Sequence, residues 1–272
     1  MKTLCCALLA ASFLICCGQA PASRQAVKNK DTLLIAARNP HSPALSAGEY
    51  HHFNAESRHF FDSLFRHGFN GGILVARDGE VVYEHYSGFK NVRNKKDSVN
   101  AHTAFHLASI SKTFTAMAVL KLWEEGKLDI HDDISKWLTG FPPGISIKNL
   151  LSQRSGLMNY VHFMDNSGWD KRKFLTNADL LAYIIAHKAQ VQHMSPGKHF
   201  EYSNTNYAFL ALIIEKVSGE SYSEFITKTF FEPLQMHDSY VFSLQDTART
   251  TRSYIISGRP YRLECLDLVC GY

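Results

Sequence analysis

The chain has 272 residues, enough for one large domain or two smaller ones around a sizeable core. Hydrophobic residues make up 45% and charged residues 20%, which excludes a disordered or collagen-like chain. The formal net charge of +4 is small and its Lys and Arg are scattered, so no nucleic-acid partner is expected.

In chain order, residues 1–20 read as an export signal. Lys2 gives a short basic start, and Leu4 to Ile15 is an apolar stretch of the right length for its hydrophobic centre. Beyond it no apolar run is long enough to cross a membrane as a helix. Leu14-Ile15-Cys16-Cys17-Gly18 resembles a bacterial lipobox, although Cys16 departs from the small residue usual before the lipid-bearing cysteine. That makes Cys17 the lipidation candidate and gives possible membrane attachment through an N-terminal lipid. Gly18-Gln19-Ala20 also allows simple secretion with cleavage after Ala20. Both readings place the mature chain outside the cytoplasm, as a periplasmic protein or a membrane-anchored lipoprotein. Cys265 and Cys270 could pair with each other, and the cysteines have no metal-ligand spacing.

Residues 21–55 carry Pro21, Pro40 and Pro43 without sustained periodicity and read as a linker. A domain of residues 56–272 is expected to follow. Its first helix spans 56–67 and presents Phe60, Phe61, Leu64 and Phe65 on one side. Between Gly71 and Tyr83, two β-branched runs flank Asp78-Gly79, a dipeptide that tolerates the positive φ of a tight hairpin turn. Lys90, Arg93, Lys95 and Lys96 then read as a solvated loop.

From Ser109 to Glu125 the pattern becomes helical. Nine of the fourteen residues from Ile110 to Trp123 are apolar and spread around the cylinder, which predicts burial on most sides. Gly126 falls where a left-handed C-terminal cap belongs. Further helices are expected over 146–153, 177–187, 205–218 and 221–230, before a short extended tail.

A serine hydroxyl is a weak nucleophile at neutral pH and needs a base within hydrogen-bond reach. On a helix, a Lys three positions after a Ser lies one turn away on the same face. That spacing occurs at Ser87/Lys90, Ser109/Lys112 and Ser195/Lys198. Gly88 at a strand end spoils the first, and Pro196-Gly197 breaks any helix at the third. Only Ser109/Lys112 starts a helix, where the positive end of the dipole favours charge developing on Ser109. An apolar setting would lower the Lys112 pKa toward that of a proton shuttle. On spacing alone the pair could equally be a helix cap and a snorkelling lysine.

The surrounding residues add a resemblance. Phe105-His106-Leu107-Ala108-Ser109-Ile110-Ser111-Lys112-Thr113 resembles the active-site segment of the serine β-lactamase and penicillin-binding protein superfamily, nearest its class C-like branch. Gly126-Lys127-Leu128 with Asp132-Asp133 is similar to the connection that follows. Ile147 to Leu157, ending Gln153-Arg154-Ser155-Gly156-Leu157, is similar to the family's helix and Ser-Gly-Leu turn. Gln153 and Arg154 stand where His-Thr is commoner, a departure not expected to matter for chemistry. Tyr202-Ser203-Asn204 is the only Tyr-x-Asn in the chain and resembles the second motif.

The resemblance implies an α/β (α+β) fold of β-lactamase/transpeptidase type, with a partial antiparallel sheet and a mostly helical region. It implies an exported serine hydrolase that forms an acyl-enzyme on a β-lactam, a D-Ala-D-Ala peptide or an ester. Ser109, Lys112 and Tyr202 would be catalytic, and Asn204 would orient Lys112 and the substrate amide. The third motif (Lys-Thr-Gly, or a His variant) does not occur in the chain. The sequence therefore reads as the front part of a longer protein whose C-terminal strands are missing. The same gap motivates the alternative of a non-catalytic surface protein that binds peptidoglycan fragments. The chain is expected to be a monomer acting on a small-molecule or peptidoglycan-derived substrate. Neither a cofactor nor a metal is expected, since the fourteen histidines form no His-Glu-x-x-His pattern.

Overall fold

The computed structural model describes residues 44–263, apart from 165–166, 171–172, 174, 252–253 and 258. The chain divides into two units after Pro43, and the described residues belong to the second. The export segment, the lipidation candidate Cys17 and the Cys265/Cys270 pair lie outside the described residues.

Helix α1 spans Ala47–Arg66 and so starts within the stretch read as linker. Its start is set by a capping box: Ser46 Oγ accepts from the Glu49 backbone N–H, and the Glu49 carboxylate accepts from the Ser46 N–H. Phe61 stacks on Tyr83 and Phe65 meets His85, whereas Phe60 stays 71% exposed. The four expected apolar residues thus split between two faces, because neighbours in sequence are about 100° apart on a helix.

Strands β1 (Gly71–Arg77) and β2 (Glu80–Ser87) form the expected antiparallel hairpin. Its turn has Asp78 at φ 51° and Gly79 at φ 82°, the doubly positive geometry that suits a two-residue hairpin. The basic loop carries a second short pair, β3 (Phe89–Asn91) and β4 (Lys96–Ser98). Among the described residues each sheet has two strands.

The helical body holds most of the core. A single 3-10 turn, Ala108–Ser111, leads into α2 (Lys112–Glu124). Helix α2 ends in a full Schellman cap: Gly126, at φ 69°, donates to the Trp123 carbonyl and Lys127 donates to the Leu122 carbonyl. Short helices α3 (Ile147–Leu151) and α4 (Tyr160–Phe163) follow, then α5 (Asn177–Val191), α6 (Asn204–Ser218) and α7 (Tyr222–Ile226). The helix expected to run on to 230 gives way to a π-helical turn over Thr227–Phe231. A last hairpin, β5 (Tyr254–Ser257) and β6 (Arg259–Leu263), occupies the region expected to be extended.

Helix α6 is the central member. It packs against α2, α3, α5 and α7, and Phe209, Leu210, Ile213 and Ile214 are fully buried. Burying each of these side chains stabilises the fold by about 1.5–3 kcal/mol. Gly219, at φ 75°, ends it in the left-handed conformation.

Helix α2 departs from expectation. It buries Thr115, Ala118, Val119 and Leu122, but Met117, Leu120 and Trp123 are 49%, 39% and 43% exposed. Only one face of α2 meets the helical body.

Candidate active site

Ser109 sits on the 3-10 turn that precedes α2, not on the α-helix itself. The turn is forced by Ala108, a non-glycine residue at φ 46°, a strained conformation of the kind found at functional turns. Hydrogen bonds within it include Ile110 N–H to the Leu107 carbonyl, Ser111 Oγ to the Ala108 carbonyl at 2.7 Å, and the Lys112 N–H to the Ser109 carbonyl. Ser109 is left exposed at the tip. Lys112, on the first turn of α2, reaches back so that its Nζ donates to Ser109 Oγ at 3.1 Å.

Tyr202 comes from the loop before α6. Its Oη lies 2.5 Å from Ser109 Oγ, and Lys112 Nζ lies over its ring at 5.2 Å from the centroid. The Tyr207 ring, one turn into α6, faces the same ammonium at 5.8 Å. Burial pushes the Tyr202 phenol up, but hydrogen bonds from Lys112 and Ser109, with the lysine charge, outweigh it and hold the group below its ordinary 10.0. Burial, followed by the neighbouring Tyr202, pushes Tyr207 the other way.

Ser109, Lys112 and Tyr202, predicted from sequence, therefore meet in one cluster. Asn204 lies next to them at the head of α6, where its N–H donates to Asn159 Oδ1 at 3.2 Å. Among the described residues its side chain makes no hydrogen bond to Lys112. No group of metal-ligating side chains forms among the described residues.

Sequence reasoning passed over what holds Tyr202 in place. Gln153 is 7% exposed and takes a left-handed backbone at φ 58°. Its carbonyl accepts from Glu201 N–H at 2.8 Å, and its side-chain Oε1 accepts from Ser203 N–H at 2.9 Å. The same Oε1 accepts from Asn206 Nδ2 at 2.6 Å, while Ser155 Oγ donates to Asn206 Oδ1 at 2.5 Å. Leu157 N–H donates in turn to Ser155 Oγ. Ser155, Ser203 and Asn206 are all buried.

A strained serine turn, a lysine one helical turn on and a tyrosine in contact with both put two groups able to take a proton within reach of one serine hydroxyl. A family profile for beta-lactamase matches residues 57–272, and the chain belongs to that family. The fold is of the β-lactamase/transpeptidase type. The chain is 36% identical over 179 residues to penicillin-binding protein 4* of Bacillus subtilis (strain 168), covering 65% of this chain and 39% of that protein. It also resembles the solved penicillin-binding protein from Bacillus halodurans (27% identity, TM-score 0.66, 75% of this chain and 62% of that one). A second similar structure is the D-amino acid amidase from Ochrobactrum anthropi SV3 (25% identity, TM-score 0.61, 75% of this chain and 57% of that one). The chain spans about two fifths of the curated relative's length.

Proposed function

We propose that the protein is an exported serine hydrolase of the class C-like branch. Its reaction is acyl transfer from a β-lactam, a D-alanyl-D-alanine peptide, a related D-amino acid amide or an ester. The observation that carries this reading is the simultaneous contact of Ser109 Oγ with Lys112 Nζ and Tyr202 Oη. Ser109 Oγ attacks the carbonyl carbon while its proton passes to Tyr202 Oη, whose phenolate is favoured by the Lys112 ammonium. Collapse of the tetrahedral adduct breaks the bond to the leaving nitrogen or oxygen, which takes the proton from Tyr202. Water then releases the acyl group by the same path in reverse. Asn204 borders the cleft and contacts the substrate amide. The domain arrangement is residues 1–20 as signal, a linker that ends before helix α1, and the remainder as a monomeric hydrolase domain. Lipid attachment at Cys17 or simple secretion places it in the cell envelope.

The test is mass spectrometry of the full chain after exposure to a fluorophosphonate or to benzylpenicillin. One adduct on the peptide carrying Ser109, absent in Ser109→Ala, is expected. An adduct that survives Ser109→Ala would refute the nucleophile. Reversible penicillin binding without any adduct would favour a non-catalytic binding protein.

A further inference from the structure

From the buried polar network we infer that Gln153 is the positioning residue for Tyr202. The inference rests on the acyl-transfer reading above but concerns a different residue. Gln153 bonds the residues on both sides of the tyrosine: its main-chain carbonyl takes the Glu201 N–H and its side-chain oxygen takes the Ser203 N–H. Two bonds from one residue hold the 200–201 peptide plane, one residue before Tyr202, and the 202–203 plane directly after it. The direction in which the phenol leaves the backbone is then set. That matters because Tyr202 is 44% exposed. Its 2.5 Å approach to Ser109 Oγ depends on where its own backbone is held.

Gln153 has φ 58°, and from this left-handed backbone its carbonyl and its side-chain amide both face the 201–203 loop. Asn206 completes the arrangement. Because the Ser203 N–H can only donate, it fixes Gln153 Oε1 as the acceptor; Asn206 must then present Nδ2 to that oxygen and Oδ1 to the Ser155 hydroxyl, so the amide orientation of both residues is determined. Gln153 is thus an acceptor for two donors inside a buried, fully oriented network, where a lost acceptor is costly. A histidine there, the commoner residue in the resembling motif, offers at most one acceptor nitrogen.

The test uses three versions of the full chain: wild type, Gln153→Met, which keeps the shape without the acceptor, and Gln153→His, which keeps one acceptor. Penicillin acylation of Ser109 is resolved into a dissociation constant for the encounter complex and a first-order acylation constant. In folded Gln153→Met the acylation constant should fall about tenfold or more with the dissociation constant within about twofold, a split that mere loss of stability does not produce. Gln153→His should fall between, about threefold below wild type. Wild-type acylation in folded Gln153→Met overturns the inference, as does a Gln153→His as slow as Gln153→Met. Should Gln153→Met fail to fold, a wild-type constant in Gln153→His overturns it alone.

A second readout needs no activity. The Tyr202 Cζ resonance of 13C-tyrosine-labelled protein, assigned with Tyr202→Phe, should titrate at higher pH in the Gln153 variants as the phenol leaves Lys112 and Ser109. The titratable groups facing it are Lys112 from α2 and Tyr207 from α6. An unchanged titration overturns the inference even if no probe labels the protein. Absence of labelling in wild type, by contrast, counts against the acyl-transfer reading only.

Discussion

The fastening of the active-site helix to the rest of the body can be measured at one buried hydrogen bond. Thr115 on α2 and Tyr222 at the head of α7 are 0% and 3% exposed, and their hydroxyls meet at 2.6 Å. Thr115 follows Lys112 by three positions, so this bond sits one turn below the lysine on the same side of α2. Thr115→Val keeps the shape and removes the Thr115 hydroxyl from its bond with Tyr222 Oη. Tyr222→Phe removes the partner of Thr115 Oγ1. Breaking a buried bond from one side costs about 1–3 kcal/mol. For Tyr222→Phe the lower end is expected, about 1 kcal/mol, because a helical threonine can turn its hydroxyl to a carbonyl four residues back. The double variant removes both polar groups and should lie within about 1 kcal/mol of wild type. Urea unfolding of the four proteins gives a coupling energy of about 1–2 kcal/mol. At about 2–4 °C per kcal/mol, the single variants should also melt several degrees lower. Strict additivity, with each single variant within about 0.5 kcal/mol of wild type, would show that the bond does not hold α2 to α7.

Other outcomes follow from the same geometry. Gly156 has φ 75° and a Cβ there would stand 2.0 Å from the Met194 carbonyl oxygen, so Gly156→Ala should lose about 3 kcal/mol or more in urea unfolding. The Ser203 hydroxyl is buried without a hydrogen-bond partner among the described residues, so Ser203→Ala should be neutral or stabilising, by up to about 1 kcal/mol. The Tyr202 phenol is held below 10.0 in the fold, so its ionisation favours the folded state. Relative to Tyr202→Phe, wild type should gain stability as pH rises through that lowered value, hold the full gain above 10.0 and lose it as pH falls back through the lowered value. Acylation of Ser109 should rise over the same window in wild type and be slower and flat in Tyr202→Phe.

Local chemistry was legible wherever a local rule decides it. The β1–β2 hairpin followed from β-branched runs around Asp78-Gly79, and the end of α6 followed from Gly219, because each depends on a few adjacent residues. The start of α1 was equally local, but the reading weighed the apolar residues of 56–67 and not the Ser46/Glu49 cap that starts the helix. The burial of α2 was not legible in principle. Apolar residues around a cylinder show what a helix could bury, and only neighbouring elements decide what it does bury. Helix α2 packs against α6 and α7 with Thr115, Ala118, Val119 and Leu122 buried, and Met117, Leu120 and Trp123 stay exposed.

The site divides along the same line. Ser109 and Lys112 are joined by one turn of backbone, so their spacing carried them, and Tyr202 was reached only through the resemblance of Tyr202-Ser203-Asn204 to a known motif. Gln153 was noticed only as a departure from the commoner His of the resembling motif, one not expected to matter for chemistry. Its side chain bonds to residues 50 and 53 positions away, through a left-handed backbone that a glutamine rarely adopts. Its role as an acceptor shows only once the fold places two donors in front of it. Yet the hydrogen bonds that set the three reacting groups all come from the helical body and its loops. The Ala108–Ser111 turn bonds to itself, Lys112 bonds back to it, and the Tyr202 loop is bonded to Gln153. The asymmetry has a physical basis. A nucleophile and its base can be encoded by a repeat distance along one helix. A third group arriving from 93 residues away must be placed by partners of its own, and those are chosen by burial and by donor–acceptor balance, which no spacing rule records.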